Sequence, residues 1–191
     1  MTQGDTPRVT LKLATSLDGK IALANGLSKW ITGPESRAEV HKMRAAHEAI
    51  LTGIGTILAD DPEFTARTEP PAERQPDLLV LDRQGRMPMG AKVFGEPTRQ
   101  VVMRASPDMA AAMAGYQSVM IEAGAQIAAS ALRADLVDRI EWFRAPLVLG
   151  GDGLPVFAEL GLESLDNAPM FRRTGLTARG ADIQESYERV R

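Results

Sequence analysis

Short apolar runs alternate with helical stretches along most of the chain. Residues 8–17 read as a strand, because Leu11, Leu13 and Leu17 alternate with Lys12 and Ser16 at the period of two that a pleated strand imposes. Residues 31–47 read as a helix, with Thr32 as N-cap, Pro34 in the first turn and Glu35 placed as in a capping box. EAILTG (48–53), LLVLD (78–82), RQVVMR (99–104) and SVMIEAG (118–124) are apolar runs, short enough for buried central strands. Residues 54–62 read as a brief helix or turn stopped by Pro62. Residues 106–116 read as a helix with Ser106 or Asp108 near its cap. Residues 125–138 read as a helix with Ile127, Ala131, Leu132 and Leu136 on one face. TEPPAERQPD (68–77) is a polar, proline-rich loop. RIEWFRAPLVLG (139–150) reads as a strand containing Pro146, hence one near an edge or bent there. Residues 171–190 read as two strands around a turn. Alternating strands and helices followed by consecutive strands predict an α/β fold, mostly parallel in its central sheet with an antiparallel C-terminal edge.

Composition narrows the class. The chain has 191 residues, 44% apolar and 25% charged, which suits one globular domain with a full core. We expect a single domain over residues 1–191, with residues 1–7 as a flexible N-terminus. A net charge of −3 supplies no basic excess for phosphate backbones, so a nucleic-acid partner is not expected. The absence of cysteine removes disulfides, thiolate metal sites and cysteine nucleophiles. His41 and His47 lack ligand partners at metal spacing, so no metal is expected. Neither a signal pattern at the start nor an apolar run of spanning length is visible, and the expectation is a cytoplasmic protein without a membrane partner.

Several candidate groups fall where strands should end, the side on which open α/β sheets bind ligands. TGIGTILADDP (52–62) lacks the third glycine of a dinucleotide fingerprint, since Leu58 stands there. Gly53, Gly55 and Thr56 suit either a phosphate-binding turn or a plain strand-to-helix turn. IEAGAQIAASALR (121–133) places Glu122 and Gly124 before a helix start, which fits a pyrophosphate or a simple turn. Arg37, His41 and Arg44 share a helix face, and Arg67 follows in a loop. An arginine pair can grip a phosphate, and a solvated helix face accounts for the same spacing. Arg83, just after LLVLD, is either a reader of an adenosine 2′-phosphate or a surface charge.

VTLKLATSLDGKIALANGLSKWITGP (9–34), MRAAHEAILTGIGTILADDPEFTAR (43–67), IEAGAQIAASALRADLVDRI (121–140) and PLVLGGDG (146–153) together resemble the pyrimidine-reductase domain of riboflavin biosynthesis. The resemblance implies a dihydrofolate-reductase-like, three-layer fold. That domain often follows a deaminase, whose cysteine signature this sequence cannot build. By resemblance, Ala14, Trp30, Thr56, Asp60 and the segment Gly124, Ala125, Gln126, Ile127, Ala128, Ala129 and Ser130 bind NADPH. Ser28, Arg44, Phe64, Arg67 and Glu122 fall at substrate positions, the two arginines on a ribose 5-phosphate. The family usually has Leu where Phe64 stands, and a Ser or another small residue can occur where Arg83 stands. The implied reaction reduces 5-amino-6-(5-phosphoribosylamino)uracil to its ribitylamino product in a homodimeric enzyme. Lys12 and Glu122 are the polar groups expected near the reacting ribose, Lys12 to orient hydroxyls or move a proton, unless it faces solvent from its strand. Two alternatives remain: a reductase of this fold acting on another pterin-like or nitrogen heterocycle, and a non-catalytic paralogue.

Overall fold

The computed structural model describes residues 7–106 and 108–191. In chain order the elements are β1 (Arg8–Thr15), β2 (Lys20–Ala22), α1 (Pro34–Ala45), β3 (Ala49–Gly53), α2 (Ile54–Asp60), β4 (Asp77–Leu81), β5 (Val101–Arg104) and α3 (Met109–Met113). There follow β6 (Ser118–Ile121), α4 (Ala125–Arg133), β7 (Arg139–Arg144), β8 (Leu154–Pro155), β9 (Phe171–Arg179) and β10 (Asp182–Arg189). The class is mixed α/β, with mostly parallel pairing and an antiparallel C-terminal edge, as the sequence predicts. Most of the expected N-terminal tail lies outside the described residues, and Pro7 at its end is buried.

The chain divides into two compact units, Met1–Val9 with Ala38–Ala123 and Thr10–Arg37 with Gly124–Arg191. In the first, β3 pairs in parallel with β4 and with β6, and β4 pairs in parallel with β5. All five residues of β3 are buried, which explains a continuous apolar run without alternation. Ile54 and Ile57 of α2 pack with Ile50, Leu78, Val80 and Met120 in one core cluster. That core anchors the C-terminal ends of the strands, from which Gly53, Asp82 and Glu122 emerge.

In the second unit β7 lies between β1, in parallel, and β10, antiparallel, and β9 closes the edge. The strand expected over 139–150 therefore ends early and is central. Its partners Thr15 and Ile183 both meet Arg144, and Pro146, two residues on, has no N–H to continue the ladder. β2 and β8, of three and two residues, pair with each other and are too short to register as periodicity.

Two helices also differ from expectation. α4 stops at Arg133, with Asp135 in the left-handed region at φ 53°. Its buried face is Ala128, Ala129, Ala131 and Leu132, while Ile127 is only half-buried. α1 starts at Pro34, so Thr32 lies one residue outside the cap position. The cap comes instead from the start of β10: Asp182 Oδ2 accepts from the Gly33 N–H at 2.7 Å and the Ser36 hydroxyl at 2.6 Å. The β9–β10 turn needs Gly180 twice over, for its φ of 63° and because a Cβ there would stand 2.6 Å from Glu35 Oε2. At α3 the cap is Asp108, whose carboxylate accepts from the Ala111 N–H.

Candidate active site

Within the first unit, three of the residues expected at the site converge. Glu122 directly follows β6, and its N–H donates to Leu51 O at 3.0 Å, so its side chain leaves from a fixed strand end. Arg44, on α1, meets it with a full fork. Nε donates to Oε1 at 2.7 Å and Nη2 donates to Oε2 at 3.0 Å. The third nitrogen, Nη1, donates to Thr65 O at 3.0 Å. Both side chains are nearly enclosed, at 14% and 8% exposure. Burial works against the Arg44 charge, and the adjoining Glu122 carboxylate outweighs it, so the guanidinium pKa is raised. The Phe64 ring centroid lies 5.5 Å from the same guanidinium.

Arg67 behaves differently. It is 61% exposed and pairs with Glu63 on its own loop, an arrangement that contributes little in water. Its backbone N–H lies 3.2 Å from His41 Nδ1, and that nitrogen also lies 2.9 Å from Thr65 O. The tautomer decides which of the two contacts is a hydrogen bond. Gln75, in the proline-rich loop, holds the backbone of Ala66 from both sides, at 2.7 and 3.0 Å.

Burial first, and the Arg44 charge second, hold the His41 pKa below its ordinary 6.5, with the Thr65 carbonyl opposing. A depressed histidine takes a proton more readily when unfolded. The contribution is therefore present above pH 6.5 and is lost as pH falls below it. We expect the His41 ring to titrate below 6.5 by NMR; a midpoint above that value would contradict this packing.

Thr56 and Asp60 lie half-buried on α2, and Gly53 caps that helix with extended backbone and no side-chain bond. Neither Gly53 nor Gly55 has a positive φ. Arg83 is exposed in the turn after β4. It lines a cavity of about 470 Å³ with Ile54, Leu81, Gln84 and Arg86. Asp82 shapes that turn by accepting the Met87 N–H at 2.9 Å, so this carboxylate is turned inward.

In the second unit, Lys12 and Ala14 are the half-buried positions of β1 between buried neighbours. They stand in register with Glu141 and Phe143 of β7. Ser28 is half-buried and Trp30 is 71% exposed. The Arg37 guanidinium covers the Trp30 ring at 4.6 Å from its centroid. Gly124 is the N-cap of α4 at φ −73° and ψ 176°, a conformation open to any residue. No atom outside its neighbours lies within 4 Å of a Cβ built there. Neither backbone angle nor packing calls for glycine, and the space is free for a ligand beside the N–H groups of Ala125 and Gln126, while the Ile127 N–H donates to Gly124 O at 3.2 Å. Ala125 and Ile127 are half-buried, Gln126 is exposed, and Ala128 and Ala129 are fully buried. Ser130 accepts from Arg133.

Sequence reading placed His41 on the arginine face but gave it no partner, and it passed over Glu63, Thr65 and Arg99. Thr65 acts through its carbonyl, which no side-chain pattern signals. Among the described residues no group of three or more His, Asp or Glu could hold a metal ion, and no helix is long and apolar enough to cross a membrane.

The model of the RibD C-terminal domain matches residues 7–184. The riboflavin biosynthesis protein RibD of Mycobacterium tuberculosis is 36% identical over 183 residues, covering 93% of this chain and 53% of that protein. RibD of Escherichia coli is 32% identical, covering 93% and 58%. The chain thus spans about half the length of these curated relatives. A solved structure of Acinetobacter baumannii RibD superposes with a TM-score of 0.88 at 30% identity, over 100% of this chain and 60% of that one. The riboflavin biosynthesis reductase Rib7 of Saccharomyces cerevisiae shares the fold, with a TM-score of 0.72 at 19% identity, over 100% of this chain and 93% of that one.

Proposed function

The chain belongs to the RibD C-terminal domain family, and from this premise we propose that it is an NADPH-dependent oxidoreductase of riboflavin biosynthesis. Its reaction is the reduction of 5-amino-6-(5-phosphoribosylamino)uracil to the ribitylamino compound. The observation that carries this reading is Glu122, held bidentately by Arg44 where β6 ends, with Arg67 exposed on the loop that Arg44 also ties down.

The substrate offers ribose hydroxyls and a remote phosphate. A carboxylate fixed in orientation accepts hydrogen bonds from hydroxyls without first ordering itself. Arg67 takes the phosphate, since exchanging an exposed Glu63 for a doubly charged group favours the substrate. Arg44, its fork occupied, orients Glu122 rather than serving as half of an open phosphate clamp. Phe64 and Ser28 complete the substrate contacts. Opening of the ribosylamine gives an imine with an electrophilic C1′, and Lys12 stands as the group that orients the hydroxyls or moves the proton to nitrogen.

The cofactor, when bound, supplies the hydride to C1′. The open space at Gly124 fits its diphosphate, held by the N–H groups of Ala125 and Gln126 at the start of α4. Ala14 and Trp30 serve its nicotinamide end. Thr56 and Asp60 contact the cofactor from α2, and Arg83 takes the 2′-phosphate over its cavity. We take the protein to be a cytoplasmic homodimer.

Fluorescence titration with NADPH and NADH tests the cofactor assignment. Arg83→Ala should weaken NADPH by about 1–3 kcal/mol, roughly 5- to 150-fold in Kd, and leave NADH unchanged. Equal loss for both cofactors would remove the 2′-phosphate role.

A further inference from the structure

The loop from Glu63 to Arg67 carries two of the proposed substrate contacts, Phe64 and Arg67, and something must fix it. Phe64 is held at φ 53°, a conformation that a bulky side chain does not keep unaided. Its ring is 4% exposed and faces Arg44. Arg99, just before β5, reaches this segment from behind. Its Nη1 donates to Phe64 O at 2.9 Å, and its Nη2 donates to both Glu63 O and Val93 O, the latter at 3.0 Å. The residue is 8% exposed, and all three bonds end on main-chain carbonyls.

A buried cation is costly unless its donors are met, and here they are met incompletely: Nε finds no acceptor. Burial lowers the Arg99 pKa, against the Glu96 carboxylate. This position is not tuned for stability alone. What the planar fork supplies is geometry, two consecutive carbonyls and a third 29 or more residues away, tied to one rigid group.

We propose that Arg99 is a positioning residue for the substrate loop. It holds Glu63 and Phe64 so that Thr65 O meets Arg44 Nη1 and His41, and so that Arg67 faces the substrate phosphate. It touches neither substrate nor cofactor. The proposal rests on the reading of residues 63–67 as substrate-binding, and its test separates the two.

Arg99→Met and Arg99→Lys would be made in the full chain and compared with wild type for KM, kcat, NADPH affinity, melting temperature and the His41 NMR signal. In Arg99→Met, KM for the phosphorylated pyrimidine should rise at least about tenfold, as expected for a lost charge-assisted tie, with kcat changed far less and NADPH affinity unchanged. The His41 signal should shift, because its partners Thr65 and Arg67 sit on the released loop. Arg99→Lys should recover part of the KM, as a point charge serves fewer carbonyls. If Arg99→Met does not fold, the Arg99→Lys values decide alone. An unchanged KM and His41 signal in a folded variant overturns the proposal, as does a parallel loss of NADPH affinity and KM. Failure of wild-type turnover with the pyrimidine overturns the proposed function instead, and the His41 signal then still tests Arg99.

Discussion

Arg44→Ala should destabilise the protein by about 3–5 kcal/mol, because it strands the buried Glu122 carboxylate without its counter-charge. The same change frees Thr65 O and removes the cation over Phe64, so the loop carrying Arg67 loses its tie to α1. Turnover should vanish. Charge and geometry can be separated by pairing Arg44→Met with Glu122→Gln. That double variant leaves no uncompensated charge, so it should regain most of the stability. It should stay inactive, because the oriented carboxylate is gone. Denaturant unfolding and steady-state turnover check both. A single variant within about 1 kcal/mol of wild type, the size expected for an exposed pair, would contradict the buried geometry.

Gly124→Val should abolish cofactor binding in a protein that still folds. The backbone at φ −73° accepts any side chain, and no atom stands within 4 Å of the new Cβ. The expected stability loss is about 1 kcal/mol or less, the usual cost of a poor N-cap residue. The branched side chain would occupy the space needed for a diphosphate against the helix start. NADPH should bind at least about 100-fold more weakly, which corresponds to ~2.7 kcal/mol. Gly124→Ala, with only one methyl, should fall between. Cofactor titration beside a thermal melt decides the matter: unchanged affinity removes α4 from the cofactor site, and unfolding makes the glycine structural.

How far the sequence could be read follows from the range of each interaction. The buried strands 49–53 and 77–81 announce themselves through continuous apolar runs, and the antiparallel ending follows from consecutive strands. The turns at Asp18-Gly19 and Asn25-Gly26 are local chemistry, and both glycines take positive φ. Local reading failed where a distant partner decides. The α1 cap comes from Asp182, 149 residues from Gly33. The fork between Arg44 and Glu122 joins residues 78 positions apart, so the helix face shows only the arginine. The open space beside Gly124 is a property of the folded chain. Pro146 reads locally as part of a strand that the pairing register ends at Arg144. Arg99 passed for the polar start of a strand, since nothing in RQVVMR says that its guanidinium turns to the carbonyls of residues 63, 64 and 93.

The central claim is that Glu122, Arg44 and Arg67 serve a phosphorylated ribosylamino-pyrimidine. The most direct measurement follows NADPH oxidation at 340 nm (about the absorbance maximum of the reduced nicotinamide that is consumed), with 5-amino-6-(5-phosphoribosylamino)uracil against dihydrofolate. The account predicts turnover of the phosphorylated pyrimidine, its loss in Arg67→Ala mainly through a raised KM, and none with dihydrofolate, which offers no phosphate to grip. Turnover of dihydrofolate, or a pyrimidine rate untouched by Arg67→Ala, would contradict it.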